Sequence, residues 1–206
     1  MEQLQLEIVG TEIAAKKATE VLKGGGLVLY PTDTIYGLGV DAMNSKALEK
    51  LRELKGREKK KPISILVPSI ESISNYGVMN AKALELAERF MPGPITLVLP
   101  ATNEVPDEVT LHGTIGVRLP SNDFCLAMTK TFNGPVTSTS ANKSGRETGN
   151  TVSEILDQFG FSAKGIDLVI DGGVRKSEKA STVVSCVGEN PAVLREGVIS
   201  REELGL

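Results

Sequence analysis

Five hydroxyl side chains and one asparagine crowd into Pro135–Arg146, PVTSTSANKSGR, immediately after an extended run. No base stands beside them to activate a nucleophile, so they offer neutral donors and acceptors of the kind that grip phosphate oxygens or ribose. A second segment, KGREKKKP at Lys55–Pro62, leaves a helix at a glycine and enters a strand after a proline. Its cations are expected to gather near a strand edge, where they can meet polyanionic phosphate. In a third, YPTDTIYGLG at Tyr30–Gly39, threonines, an aspartate and glycines follow the end of a strand. Open α/β sheets bind ligands beyond the carboxyl ends of strands, so this too is a candidate site. Each segment also has a plainer reading: a polar loop, a solvated charge run and an Asp/Thr turn, respectively.

Several chemistries are excluded by what the chain lacks. The single histidine, His112, stands between Leu111 and Gly113, in an expected loop with no chemical role, which removes Ser-His-Asp triads, Cys-His pairs and HExxH zinc sites. Cys125 and Cys186 form no CxxC pair, and both are expected in the core as small hydrophobes. Gly37–Ala42 matches GxGxxG/A, but the preceding strand ends near Tyr30, too far upstream for a dinucleotide turn. Ser140–Lys143 matches SxxK without a KTG partner, and no GxxxxGK[ST] loop occurs. The net charge is −3. Yet Lys46–Lys61 holds eight Lys/Arg against three Glu, a local excess of five that leaves the remainder at −8. One basic segment on an acidic chain implies a localised anion site.

The elements that must position these groups alternate as strand and helix. Leu4, Leu6 and Ile8 alternate like a strand. Thr11 is expected to cap a helix turning Ile13, Ala14, Ala18, Val21 and Leu22 inward, ended by Gly24-Gly25-Gly26. A strand follows at Leu27–Tyr30. Asn44 caps a helix with Ala47, Leu48, Leu51 and Leu54 on one face, stopped at Gly56. Ile63–Val67, Ile95–Leu99, Thr114–Leu119 and Pro135–Thr139 read as strands; Asn80–Phe90, the Phe124/Met128/Phe132 stripe and Thr151–Phe159 read as helices. Leu168–Ile170, Thr182–Val187 and Val193–Arg195 read as extended, and Ser200 with Glu203 as a capping box. These late strands run on without helices between them, so a mixed, twisted open sheet is expected within one α/β domain spanning 1–206. At 206 residues with 40% hydrophobic content, and with neither a spanning apolar run nor a signal peptide, the chain reads as cytoplasmic.

Together the segments resemble the YrdC-like domain of threonylcarbamoyl-AMP synthases. The resemblance rests on PTDTIYGLG at Pro31–Gly39, Lys55 and Arg57 as KxR, PGPIT at Pro92–Thr96, GVRLP at Gly116–Pro120, SAN and KSG at Ser140–Gly145, STVV at Ser181–Val184, and LREG at Leu194–Gly197. It covers about 12–200 and looks like the short, single-domain form. Glu58 stands where many relatives have proline. The resemblance implies an open α/β fold with a basic concave cavity. It also implies a reaction of L-threonine, bicarbonate and ATP to give threonylcarbamoyl-AMP and pyrophosphate, for modification of tRNA position 37 by a downstream threonylcarbamoyl-transferring complex.

Carried over residue by residue, Thr32, Ser64, Ser138 and Ser181 would hold threonine, and Arg118 its carboxylate. Lys55, Arg57 and Lys59 would face the triphosphate, Thr114, Ser140 and Asn142 the nucleotide, and Arg146 and Arg195 would close over it. Lys55, Arg57, Ser140 and Asn142 form the expected catalytic set. Mg²⁺ would accompany ATP, although no carboxylate cluster nominates its ligands. The alternative is a double-stranded RNA or tRNA-binding module without catalysis, recognisable by steep salt dependence.

Overall fold

The computed structural model describes residues 1–58, 61–176 and 179–206. Within them ten strands form one mixed sheet. In chain order they are β1 (Glu2–Gln5), β2 (Val28–Tyr30), β3 (Gly37–Gly39), β4 (Ser64–Leu66), β5 (Ile95–Pro100), β6 (Thr114–Arg118), β7 (Val136–Ser140), β8 (Leu168–Asp171), β9 (Thr182–Ser185) and β10 (Ala192–Arg195). Their spatial order is β1-β8-β2-β3-β7-β4-β6-β5-β9-β10. β1–β8, β2–β8, β4–β6 and β5–β9 pair parallel; the other neighbours pair antiparallel. The open mixed α/β sheet expected from the sequence is therefore present.

Helices cover both faces. α1 (Leu6–Val9), α2 (Thr11–Lys23) and α5 (Asp123–Phe132) pack on one; there Ala14, Ala18, Leu22, Phe124 and Met128 meet Val28, Tyr30, Leu66 and Val136. α3 (Ser45–Lys55), α4 (Ala81–Phe90) and α6 (Val152–Phe159) share the larger core on the other face with Leu29, Leu38, Ile65, Leu97 and Val117. α7 (Arg201–Leu204) ends the chain behind its Ser200/Glu203 capping box. The expected Asn44 cap accepts a backbone N–H at the third helical residue, and Asn80 and Thr151, read as the first residues of their helices, do the same as caps.

Three local readings are corrected. Leu6 and Ile8 lie in α1 rather than a strand, and Ile8 is 76% exposed; an alternation of only three apolar positions is too short to separate a strand from one helical turn. Gly10, not Thr11, caps α2, and Ile13 faces solvent because the α2–α5 contact uses its alanine stripe. Gly37–Gly39 forms β3, a strand invisible to β-propensity. Its glycines are required by close approach. The Tyr30 ring packs against β3 with its hydroxyl donating to Thr137 O at 3.0 Å, and a Cβ on Gly39 would stand 2.7 Å from that ring and 2.9 Å from Val136. Gly39→Ala is expected to cost about 1–3 kcal/mol, the range for overpacking a core. Urea unfolding checks it: an unchanged midpoint contradicts this account of β3.

Candidate active site

Leu66 and Val136 lie under the α2/α5 layer. Side chains two residues apart along a strand share a face, so Ser64 and Ser138 lie on the same face beyond the cover of those helices. Register extends the row across the sheet. Ser140 pairs with Gly37 and Ser64 with Ser138. Leu66 pairs with Arg118, Ile95 and Thr96 with Thr182 and Val183, and Arg195 with Val183. The result is a stripe of hydroxyls and guanidinium groups crossing the strands, backed on the opposite face by Ile65, Leu97, Val117 and Val184. Gly116 makes room for it, since a Cβ there would stand 2.5 Å from Ser64 Oγ.

The stripe floors a cleft of about 160 Å³. Thr32, Arg57, Ser64, Arg118, Ser138, Ser140, Ser181 and Arg195, all expected at the site, line it together. The cleft lies across the sheet face rather than only beyond strand ends, because the α2/α5 layer stops short of this part of the face.

The walls are held by a dense hydrogen-bond network. Thr32 Oγ1 donates to Ile35 O (2.6 Å) and accepts the Thr34 N–H (3.1 Å), closing the PTDT turn. Thr96 and Ser181 hydroxyls stand 2.9 Å apart, and Arg195 Nη2 donates to Ser181 O at 2.7 Å. Arg57 Nη2 donates to Pro62 O at 2.6 Å, while its Nε is buried without a partner among the described residues. Burial lowers the pKa of both Arg57 and Arg195, a second guanidinium adding to each effect, Arg52 at Arg57 and Arg118 at Arg195. Such a site favours an anion that restores the balance. Tyr36, part of the cleft lining, donates to Gly173 O at 2.7 Å, and burial pushes its phenol up to about 12. Arg175 Nη1 donates to Thr32 O at 3.3 Å.

Several expected site residues stand outside the cleft lining. Lys55 does not line the cleft. It is 1% exposed, and its ammonium donates to Ser140 O, to Asn142 O at 2.8 Å and to Asn142 Oδ1 at 3.4 Å. The C-cap Gly56 adopts a left-handed conformation (φ 59°), so the chain turns between Lys55 and Arg57 and sends the first inward and the second to the cleft. Burial, reinforced by Arg57, lowers the Lys55 pKa to about 7. Asn142 is buried and holds its own loop: Oδ1 accepts from Ser140 Oγ, and Nδ2 donates to Lys143 O (3.0 Å) and Arg146 O. Thr114 Oγ1 donates to Leu111 O at 2.7 Å and does not line the cleft, and Arg146 is exposed outside it. Lys59 lies outside the described residues.

The basic segment is therefore less of a surface than its composition implies. Arg52 is also buried, donating to Glu58 O (2.7 Å), Lys61 O and Glu108 O. His112 sits at φ 49° between Leu111 and Gly113, in the expected loop.

Comparison with known proteins places this geometry. The model of the Sua5/YciO/YrdC family, described as telomere recombination, matches residues 20–197. The chain belongs to this family. A putative threonylcarbamoyl-AMP synthase of Methanocaldococcus jannaschii is 36% identical over 92% of this chain and 90% of its own length. The threonylcarbamoyl-AMP synthase of Pyrococcus abyssi is 33% identical over 91% of this chain, which spans 55% of that longer protein. Among solved structures of the family, P. abyssi Sua5 complexed with L-threonine matches with a TM-score of 0.90 at 31% identity, over 98% of this chain and 59% of that one. Escherichia coli YciO matches with a TM-score of 0.87 at 28% identity, over 98% of both chains.

Two features of the site were not assigned from the sequence. Asp33, inside the PTDT motif, forms a buried ion pair with Arg118, and Thr96, inside PGPIT, lines the cleft. Both stood within quoted motifs, which were the available signal; Arg175 lies in none.

Proposed function

We propose that the protein is an L-threonylcarbamoyladenylate synthase, a nucleotidyltransferase making threonylcarbamoyl-AMP and pyrophosphate from L-threonine, bicarbonate and ATP. The observation that carries this reading is the stripe of Thr32, Ser64, Ser138, Ser140 and Ser181 set among Arg57, Arg118 and Arg195 in one cleft. Neutral hydroxyls suit an amino acid and ribose, and fixed guanidinium groups suit carboxylate and phosphate.

In this reading the threonine amine and bicarbonate condense to a carbamate with loss of water. A carbamate oxygen then attacks the α-phosphorus, and the bond to pyrophosphate breaks. Arg118 orients the threonine carboxylate, with Thr32 and Ser181 beside it. Arg57 and Arg195 stabilise charge that shifts onto the leaving pyrophosphate, while Ser138 and Ser140 fix the reacting groups. Positioning and charge stabilisation dominate such transfers, so a cleft without a histidine suffices. The cleft lining offers hydroxyls and guanidinium groups but, among the described residues, no carboxylate, so it would leave Mg²⁺ to be carried by ATP itself, and the ion would supply neutralisation of phosphate charge.

The product, a reactive mixed anhydride, is passed in the cytoplasm to a complex that modifies tRNA position 37. A bare RNA-binding module is less well supported, because Arg52 and Lys55 at the centre of the basic segment are turned inward. Among the described residues no helix is long and apolar enough to cross a membrane. The reading is tested by pyrophosphate release from ATP. Release is expected only with threonine and bicarbonate both present; release of ADP and phosphate instead contradicts it.

A further inference from the structure

Arg118 is usable as a carboxylate receptor only if something holds its guanidinium still. It ends β6 and is 6% exposed. Nη2 donates to Asp33 Oδ1 and, at 3.0 Å, to Thr34 Oγ1. The other carboxylate oxygen of Asp33 accepts the Ser121 N–H at 3.1 Å. Asp33 thus joins the PTDT turn, the Arg118 side chain and the segment leaving β6. Thr34 Oγ1 stands 3.1 Å from Thr32 Oγ1, which extends the network to a second residue of the cleft wall. Arg118 Nε is buried with no partner among the described residues. This is an open donor beside the cleft, on a group whose Nη2 is already committed.

We propose that Asp33 is a positioning residue for amino-acid recognition, clamping the Arg118 guanidinium from behind so that its remaining donors meet the substrate carboxylate. The proposal rests on the reading that Arg118 holds the threonine carboxylate. Asp33 itself lies behind the cleft lining. Two effects oppose one another. The Asp33 charge repels an incoming carboxylate, but from the far side of an intervening guanidinium. Its removal frees a long side chain with many rotamers, and leaves a buried cation without its counter-ion. The loss of orientation outweighs the relief of repulsion.

The experiment is titration calorimetry of the full chain with L-threonine and with L-threoninol, which lacks the carboxylate. Asp33→Asn, still able to accept the Ser121 N–H, is expected to weaken L-threonine binding at least tenfold, about 1.4 kcal/mol, and L-threoninol binding less than twofold. Asp33→Glu, which keeps the charge, is expected to stay within threefold of wild type and remains informative if Asp33→Asn does not fold. In an Arg118→Lys background, Asp33→Asn is expected to add less than twofold. Equal losses for both ligands, unchanged L-threonine affinity in folded Asp33→Asn, or the full loss in the Arg118→Lys background would each overturn the proposal. A wild-type protein that binds L-threonine no better than L-threoninol would overturn it together with the assigned role of Arg118. Failure to release pyrophosphate would instead contradict the proposed reaction, leaving the calorimetry to judge Asp33.

Discussion

Lys55→Met is expected to lower turnover at saturating ATP by about a hundredfold and to destabilise the fold by about 2–4 kcal/mol. Methionine fills the volume of a side chain that is 1% exposed but donates nothing to the carbonyls of Ser140 and Asn142, which Lys55 satisfies. A buried acceptor left unpaired costs about 1–3 kcal/mol. These carbonyls belong to the loop that carries the Ser140 hydroxyl into the cleft, and the Ser144 N–H anchors the same loop on Lys55 O at 2.8 Å. The backbone of Lys55 and its side chain therefore fix the loop together. Displacing a reacting group by about 1 Å costs on the order of a hundredfold in rate. The loss falls on kcat, because saturating ATP does not restore the loop. A lysine that served only as a phosphate ligand would raise the ATP KM and leave stability unchanged, and that outcome contradicts this account.

The same residue sets a pH dependence. Its folded pKa, about 7, lies below that of the unfolded chain. Below pH 7 both states hold the proton and the slope is zero. Between about pH 7 and 10 the unfolded state holds more protons, so the contribution of Lys55 to stability rises with pH. The gap in unfolding free energy between wild type and Lys55→Met is therefore expected to widen from pH 7 to pH 9. A gap that narrows over that range contradicts the assigned environment.

Arg118→Met is expected to cost about 3–5 kcal/mol of stability and to abolish measurable threonine use. The side chains of Arg118 and Asp33 are 7% and 9% exposed. Removing one partner of a buried pair leaves the other charge uncompensated, and that penalty has the stated size. The carboxylate keeps the Ser121 N–H, which offsets only part of it. Adding Asp33→Asn to Arg118→Met is expected to recover roughly half of the lost stability while leaving the threonine defect in place. Urea unfolding and initial rates with varied threonine read the two effects separately. A loss below about 1 kcal/mol, or no recovery in the double variant, contradicts the buried pair.

The alternation of elements was legible in the sequence because periodic apolar faces announce helices such as α3, α4 and α6, and Asn44 marks the start of α3. β3 was not legible, since Gly-Leu-Gly lacks every mark of strand propensity and exists because Tyr30 packs against it. The three chemistry-bearing segments do converge on one cleft. Which residues face it was harder to read. Lys55 and Arg57 look equivalent in a KxR motif, yet the left-handed Gly56 between them separates a buried loop anchor from a cleft cation. Asp33 and Arg118 belong to segments far apart in the chain, and only the position of the PTDT turn against the end of β6 brings them together.

The central claim, that this cleft joins threonine, bicarbonate and ATP, is tested most directly by mass spectrometry of the nucleotide product formed with ¹³C-bicarbonate. The account predicts an adenylate that requires threonine, carries one heavy carbon in its carbamoyl group and forms in step with pyrophosphate. A nucleotide product without the label, or one formed equally with any amino acid, would contradict it.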